Sequence, residues 1–213
     1  MTTEPKEGYY KFSPRFVDSA VFTPSVLAEL NRWRERLFSL QLIGMYQAGD
    51  LKGVGYGNLS VRTPGGFVIT ATRTGGLEHL GPQHYTEIVR VDIDRNAVEF
   101  RAESPLTTPS AECMTHAAFY QADPAVGAVI HVHHLDFWKH LLHTVPTTAV
   151  EVAYGTPGMA REILRLYRET DLPHRKLAAM AGHEEGIIAF GSDLDEAGTV
   201  LLAAWGGSAG SGQ

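Results

Sequence analysis

An apolar run that ends in two histidines constrains the fold more than any other feature of the chain. Residues 125–130 read Ala-Val-Gly-Ala-Val-Ile, and His131, Val132 and His133 follow. Because side chains alternate between the two faces of a β-strand, this pattern places His131 and His133 on one face and Val132 on the other. A period of two favours a strand over a helix. We therefore predict a buried strand that ends in two adjacent imidazoles.

Two imidazoles side by side on a strand have the spacing of a zinc-type metal site, which needs a further ligand from elsewhere in the chain. The alternative is a pair of structural or exposed histidines in an ordinary strand. The spacing of His131 and His133 alone does not separate these interpretations. His134 would point away from His133, so we expect it behind the ligands or in a structural role.

The length of the chain indicates the number of domains. With 213 residues the chain can bury one sizeable core, and no repeat or linker divides it. We predict an N-terminal arm over residues 1–23, a single domain over residues 24–205 and a flexible tail over residues 206–213. The arm carries aromatic side chains, including Tyr9 and Tyr10, that could pack against the body or a neighbouring subunit.

Composition excludes several classes of function. A formal charge of -6 without a cluster of lysine and arginine argues against nucleic acid as a partner. The single cysteine, Cys113, excludes an internal disulfide and a cysteine-based zinc module. No apolar stretch is long enough to span a bilayer, and the sequence after Met1 lacks a signal-peptide pattern. We therefore predict a cytoplasmic protein without a membrane partner.

The remaining periodicities predict alternating helices and short strands. We predict strands over residues 58–62, 67–71, 89–93, 97–100 and 187–190. We predict helices over residues 24–48, 110–121, 159–170 and 193–205. The first helix would bury a face that includes Leu30, Leu37 and Ile43.

Glu112 is a candidate for chemistry because it opens the helix that leads into the histidine strand. Its carboxylate could bind the metal ion, or act as a general base when substrate displaces it. The alternative is that the helix dipole simply favours an acidic residue there. His116 lies one helical turn on, on the same face as Glu112, where we expect a structural histidine.

His183 is a second candidate, since it lies between a glycine and acidic residues just before a predicted strand. It could swing into a metal site, and the alternative is a polar loop. Three turns also offer backbone amides and hydroxyls to an anion. These turns are Gly57-Asn58-Leu59-Ser60, Thr74-Gly75-Gly76 and Thr107-Thr108-Pro109-Ser110.

Taken in order, these blocks resemble the class II aldolase/adducin family. The resemblance runs from about Phe22 to Trp205, with the histidine strand at its centre. The other blocks that carry it are residues 57–62, 69–75, 109–116 and 186–191. It implies an α/β protein, a three-layer α/β/α fold around a largely antiparallel sheet. It also implies a cyclic homotetramer with active sites at the subunit boundaries.

The resemblance also implies roles for single residues. His131 and His133 would bind the metal ion, and Glu112 would be the acid/base residue. The positions that cradle a substrate phosphate in the aldolases correspond to Asn58, Thr74, Gly75 and Ser110. Ala111 differs from the family pattern, which usually has a second hydroxyl residue immediately before the glutamate. This difference weakens the case for tight binding of a phosphate.

The third metal ligand depends on how the sequences are matched. A gapless match puts Glu185 at the family's third histidine, whereas His183 matches if two residues are inserted. We predict His183, because three neutral imidazoles and a labile fourth position form a familiar catalytic zinc site. Glu185 is the rival ligand. Tyr154 lies near the place of a tyrosine acid that some family aldolases use, without a firm assignment.

The resemblance implies a zinc-dependent lyase of the aldolase type, with another divalent metal as an alternative. The ion would polarise the carbonyl of a small ketose or ketose phosphate and stabilise the enediolate formed on carbon-carbon cleavage, while Glu112 moves the proton. No lysine lies beside these blocks for imine catalysis. The alternatives are a dehydratase or epimerase of sugar phosphates on the same site, and an adducin-like assembly module without turnover.

Overall fold

The computed structural model describes residues 11–209, so Tyr9, Tyr10 and residues 210–213 lie outside the described residues. Its strands are β1 Ser13–Ser19, β2 Gly44–Met45, β3 Gly55–Tyr56, β4 Asn58–Thr63, β5 Gly66–Thr70, β6 Tyr85–Asp92, β7 Ala97–Ala102, β8 Ala128–His133, β9 Leu177–Ala179 and β10 Gly186–Gly191. Its helices are α1 Pro24–Ser39, α2 Cys113–Ala122, α3 Leu135–Leu141, α4 Pro157–Glu169, α5 Leu172–Arg175 and α6 Leu194–Ala209.

Eight strands form the central sheet, in the order β1-β7-β6-β5-β4-β8-β10-β9. Neighbouring strands run antiparallel, except that β1 and β7 are parallel. β2 and β3 pair separately as a short antiparallel ribbon. The largely antiparallel sheet implied by the resemblance is confirmed.

Helices cover both faces of this sheet, because its central strands are apolar on both sides. The face that carries Val129 and Ile188 packs against α2 and α4. The face that carries Ile130 and Ala189 packs against α1, α3 and α6. The protein thus has the predicted three-layer α/β/α fold, with β8 contributing to the core on both sides.

The predicted end of the first helix is wrong. α1 ends at Ser39, and the chain turns at Gln41, whose φ of 58° is left-handed. The turn allows Leu42 and Ile43 to enter the core outside the helix, where both are buried. The apolar residues therefore keep a helical spacing beyond Ser39, although the backbone is no longer helical there.

The two ends of the chain also differ from the predicted elements. Residues 13–19, predicted as part of an arm, form β1 and pair with β7 at the edge of the sheet. α6 continues to Ala209, so residues 206–209 of the predicted tail are helical. The division into arm, domain and tail stays a prediction. Between residues 11 and 209, no helix is long and apolar enough to cross a membrane.

Candidate metal centre and active site

Three histidine side chains converge at one end of the sheet. His131 and His133 lie on β8, as the period of two predicted, and His183 lies in the turn before β10. The Nε2 atom of His131 is 3.0 Å from Nε2 of His133 and 3.2 Å from Nε2 of His183. All three residues are buried. The structure therefore brings together the three residues that we predicted as metal ligands.

Hydrogen bonds hold both strand histidines at their Nδ1 atoms. Nδ1 of His131 lies 3.0 Å from the backbone carbonyl of Ile187, which can only accept, so this nitrogen carries the proton. The hydroxyl of Tyr46 lies 2.9 Å from Nδ1 of His133. The same hydroxyl donates to Oε2 of Glu185 at 2.8 Å. Because Nδ1 of His131 carries the proton, its Nε2 atom is an acceptor, and this atom faces the other two rings.

Burial keeps these rings neutral. Desolvation lowers the pKa of His131 to about 4, and it lowers the pKa of His133 and of His183 well below the ordinary histidine value. The one lone pair on Nε2 of His131 faces two ring nitrogens, and a cation shared by the three rings would satisfy it. Nitrogen ligands of a tetrahedral zinc ion lie roughly 3.3 Å apart. The observed spacing of 3.0 and 3.2 Å fits such an ion.

The turn before β10 places His183 and Glu185, the predicted third ligand and its rival, on different sides of His133. The backbone amide of Gly186 donates to the carbonyl of His183 at 2.9 Å, which closes a four-residue turn. Glu185 is the third residue of this turn and has a left-handed φ of 68°. Its carboxylate lies behind His133, 4.0 Å from Nδ1, and bonds to Tyr46. His183 therefore lies in the imidazole cluster, and the Glu185 carboxylate lies outside it.

Glu112 occupies the N-cap position of α2, without a side-chain capping bond, and lines the same cleft as the histidines. It is 3% exposed, and within residues 11–209 neither carboxylate oxygen makes a hydrogen bond. Desolvation raises the pKa of Glu112 to about 7. The neighbouring Thr115, Lys11 and Gly155 backbone lower this pKa, but their effect is smaller than that of burial. A buried carboxyl that titrates near neutrality is suited to acid/base chemistry.

The three histidines and Glu112 line one cleft. Its lining includes every predicted site residue, namely Asn58, Thr74, Gly75, Ser110, Glu112, His131, His133 and His183. These residues come from five separate segments of the chain. The sheet and α2 thus gather at one place what the sequence spreads over 126 positions, from 58 to 183 counted inclusively.

Local bonds position the turns that line the cleft. The Thr74 hydroxyl donates to a backbone carbonyl three residues earlier at 2.8 Å, and the buried Arg34 donates to the Thr74 carbonyl. The Ser110 hydroxyl accepts from the backbone amide of Glu112 at 3.3 Å. A Cβ at Gly75 would overlap the backbone of β2, so this position requires glycine. These bonds fix the turns and leave hydroxyl oxygens able to accept further bonds.

Other buried polar atoms near the site have no hydrogen-bond partner in the part of the chain that the structure describes. They are Oδ1 of Asn58, Oγ1 of Thr115 and Nε2 of His116. Asn58 pairs directly with His131 across β4 and β8. Nδ1 of His116 bonds to the Ser60 hydroxyl at 2.7 Å, so His116 is held in the core rather than against Glu112. Unsatisfied buried groups of this kind call for a ligand, a water or an ion.

Sequence reasoning missed four side chains of this site: Lys11, whose Nζ atom lies 3.9 Å from the Tyr154 ring centroid although no lysine was expected there, Tyr46, Tyr56 and Arg73. The Tyr56 ring stacks on His133 with 5.6 Å between ring centroids. Arg73 lines the cleft with an exposed side chain and a left-handed φ of 63°. Tyr46 fell inside the helix that we predicted too long. The available signal for Tyr56 was the run of glycines at 53, 55 and 57, which indicates turns and a close approach of the backbone.

The fold, the imidazole cluster and the buried carboxyl together define a class of protein, and sequence comparison gives its name. The profile of the Class II Aldolase and Adducin N-terminal domain matches residues 44–204. The chain belongs to this family. The resemblance found in the sequence blocks is thereby confirmed.

Individual relatives match less of the chain or match it more distantly. Methylthioribulose-1-phosphate dehydratase of Gluconobacter oxydans (strain 621H) is 39% identical over 77 residues, which is 36% of this chain and 33% of that protein. This alignment spans about a third of the length of that curated relative. YgbL of Klebsiella pneumoniae is similar in fold, with a TM-score of 0.60, 21% identity and 86% of each chain covered.

L-fuculose-1-phosphate aldolase of Thermus thermophilus has a similar fold as well. Its TM-score is 0.58 at 21% identity, over 85% of this chain and 87% of that one. At such identities the similarity concerns the fold.

Proposed function

We propose that the protein is a metal-dependent lyase that acts on a small ketose phosphate or a related hydroxy-carbonyl compound. The observation that carries this proposal is a cluster of three neutral imidazoles in one cleft with a carboxyl whose pKa is about 7. His131, His133 and His183 would hold the ion, with zinc the first choice and another divalent metal the alternative. When bound, the ion supplies a Lewis acid for the substrate carbonyl.

Glu112 would be the acid/base residue of this reaction. Its carboxyl is buried and has no hydrogen bond within residues 11–209 that would hold it in one protonation state. It could therefore accept a proton from carbon or oxygen of the substrate and return it to the product.

The turns at the other side of the cleft would hold an anionic group of the substrate. The predicted binding residues are Asn58, Thr74, Gly75 and Ser110. Ser110 directly precedes the N-terminal region of α2, where backbone amides favour negative charge. Arg73 would add a cation at the same cleft, which suits a phosphate. We expect Arg73 to offset the hydroxyl that Ala111 lacks.

Dehydration is the reaction that we would test first. It is supported by the two methylthioribulose-1-phosphate dehydratases, which are 39% and 43% identical over 77 residues. Elimination of water and aldol cleavage both need a polarised carbonyl and an acid/base group, and they differ in the group that leaves.

Aldol cleavage is the second candidate, and Tyr154 is the observation that favours it. The centroid of its ring lies 4.4 Å from that of the His183 ring, and Tyr154 lines the same cleft. A phenol at this place could protonate the leaving fragment. An epimerase would use the same groups and return a product of unchanged composition.

The test is a substrate screen with protein loaded with one equivalent of zinc. Methylthioribulose 1-phosphate is assayed for loss of water, and ketose 1-phosphates are assayed for release of aldehyde and for epimerisation. We expect turnover in one of these assays and a loss of at least about 1000-fold in Glu112→Gln, with zinc content unchanged. Turnover that survives in Glu112→Gln would overturn the role of Glu112, and zinc binding without any turnover would overturn the lyase proposal.

The resemblance further suggests a homo-oligomer, with a tetramer favoured, in the cytoplasm. Light scattering on the purified protein tests the assembly. The adducin-like alternative predicts a stable assembly that neither binds metal nor turns over substrate. Metal analysis of the same sample therefore separates the two interpretations of the fold.

A further inference from the structure

A chain of hydrogen bonds runs outward from the imidazole cluster through His133, Tyr46 and Glu185. The Tyr46 hydroxyl lies 2.9 Å from Nδ1 of His133 and 2.8 Å from Oε2 of Glu185. The ring of His133 is buried, whereas the Glu185 side chain is 25% exposed. These hydrogen bonds therefore connect the buried imidazole cluster with a partly solvated carboxylate.

The direction of these bonds follows from the chemistry of the groups. A carboxylate can only accept, so the Tyr46 hydroxyl donates to Glu185. Its single hydrogen is then used, and the Tyr46 oxygen can only accept from Nδ1–H of His133. The proton of the His133 ring is therefore on Nδ1, and the lone pair on Nε2 faces Nε2 of His131 at 3.0 Å. The opposite tautomer would place a hydrogen where a metal ion would bind.

We propose that Tyr46 and Glu185 are positioning residues that hold His133 in the Nδ1-protonated tautomer and so set the metal affinity of the cluster. The part about affinity rests on the metal site of the proposed function. The carbonyl of Ile187 does the same for His131, at 3.0 Å from its Nδ1. His131 is thus held by a backbone carbonyl, whereas His133 is held by two side chains. Partners behind metal-bound histidines typically change metal affinity by about 10-fold to 100-fold.

The backbone of Glu185 supports this role independently. Its φ of 68° lies in the left-handed region, where a side chain is strained and glycine is favoured. Glycine would close the same turn with less strain. The carboxylate that reaches Tyr46 is a reason for a glutamate at a position better suited to glycine.

The first experiment measures the tautomer without any metal. In the metal-free protein, correlations between ring nitrogens and ring protons by NMR report which nitrogen of His133 carries the hydrogen. We expect the Nδ1–H tautomer in the wild type and loss of this preference in Tyr46→Phe. This measurement requires neither zinc nor turnover. A Tyr46→Phe protein in which His133 keeps the Nδ1–H tautomer would overturn the proposal.

The second experiment measures zinc affinity by competition with a chromogenic chelator. We expect about 10-fold to 100-fold weaker binding in Tyr46→Phe and about 10-fold weaker binding in Glu185→Gln. Because Glu185 acts through Tyr46, the double variant should bind no more weakly than Tyr46→Phe alone. Glu185→Gly should keep or raise the urea midpoint while it weakens zinc binding, whereas a merely structural role would lower the midpoint.

Two matched controls define the comparison. Tyr167→Phe removes a hydroxyl that donates to Asp123 at 2.7 Å, a similar pair on α4 outside the cleft, and should leave zinc affinity unchanged. Glu184→Gln changes the exposed neighbour in the same turn and should also have no effect. Wild-type affinity in both Tyr46→Phe and Glu185→Gln would overturn the proposal. A wild type that binds no zinc overturns the proposed metal function, while the NMR measurement still decides the tautomer.

Discussion

The guanidinium of Arg34, which is 1% exposed, donates from Nη2 to the backbone carbonyl of Thr74 at 2.8 Å. The same nitrogen donates to the carbonyl of Gly75 at 3.0 Å, and Nη1 donates to that of Glu78 at 3.0 Å. A buried cation on α1 therefore holds two carbonyls of the turn that lines the cleft and a third carbonyl just beyond it. Its charge and its geometry both act on the place where we propose that an anionic group binds.

Arg34→Met should destabilise the protein and loosen this turn. Three carbonyls lose a charged donor, so we expect a loss of about 2–4 kcal/mol in the free energy of unfolding by urea. The KM for a phosphorylated substrate should rise more than kcat falls. Arg36→Met, at an exposed position on the same helix, should change stability by less than about 0.5 kcal/mol. Equal effects of the two variants would contradict this assignment.

His183→Ala and Glu185→Ala should differ in zinc content. At micromolar protein with equimolar zinc, we expect His183→Ala to lose the bound ion, because two imidazoles remain in the cluster. Glu185→Ala should still bind one equivalent, since its carboxylate lies outside the cluster. Elemental analysis after gel filtration measures both. Zinc kept by the first variant and lost by the second would reverse the ligand assignment.

Gly182→Ala should displace the neighbouring ligand. A Cβ at Gly182 would overlap the backbone carbonyl oxygen of Val152, so the turn that carries His183 must move. We expect a loss of about 1–3 kcal/mol in stability and weaker zinc binding. Gly206→Ala is the matched control, because a Cβ there meets nothing within 4 Å. In α6 that change should be neutral or stabilising, by up to about 1 kcal/mol.

Glu162 should contribute stability that depends on pH. It accepts from Arg165 through both oxygens and from the backbone amide of Ala149 at 2.9 Å, and Arg165 holds the pKa of Glu162 below 4.5. Because the folded pKa is lowered, the stabilisation is present above pH 4.5 and is lost as the pH falls through the folded pKa.

The measurement is urea unfolding of Glu162→Gln against the wild type at several pH values. We expect a deficit of about 1–2 kcal/mol at pH 7 that shrinks below pH 4.5. Glu169→Gln, which removes a more exposed partner of Arg165 at 3.3 Å, should cost less than about 0.5 kcal/mol. A deficit that stays constant down to pH 3 would show that the charge is not its source.

Removal of metal should lower the melting temperature. A ligand that binds only the folded state at 100 times its Kd stabilises that state by about 2.7 kcal/mol. We expect a chelator to lower the Tm by several degrees and added zinc to restore it. In His133→Ala the melting temperature should respond to neither addition. A wild-type Tm that is insensitive to both would argue against a metal bound by the three histidines.

The sequence predicted the parts of this site that depend on local periodicity. The strand with His131 and His133 follows from the alternation of side chains, and the position of Glu112 follows from the start of a helix. The cluster with His183 could be predicted from the resemblance, although the two-residue insertion left Glu185 as a rival.

Long-range contacts escaped the sequence analysis for a physical reason. The helical spacing of Leu37 and Ile43 extended the predicted helix over Tyr46, and nothing local marks the left-handed turn at Gln41. The bond from Tyr46 to Glu185 spans 139 positions. No pattern with a period of two or 3.6 residues carries information over such a separation.

The pairing of β8 with its neighbours makes the site a product of strand register. Asn58 on β4 lies opposite His131, and Gly186 on β10 lies opposite His133. A slip of β8 by one residue would turn both imidazoles toward the opposite core and present Val132 to the cleft instead. Metal binding during refolding would therefore mark the moment at which these three strands have found their correct alignment.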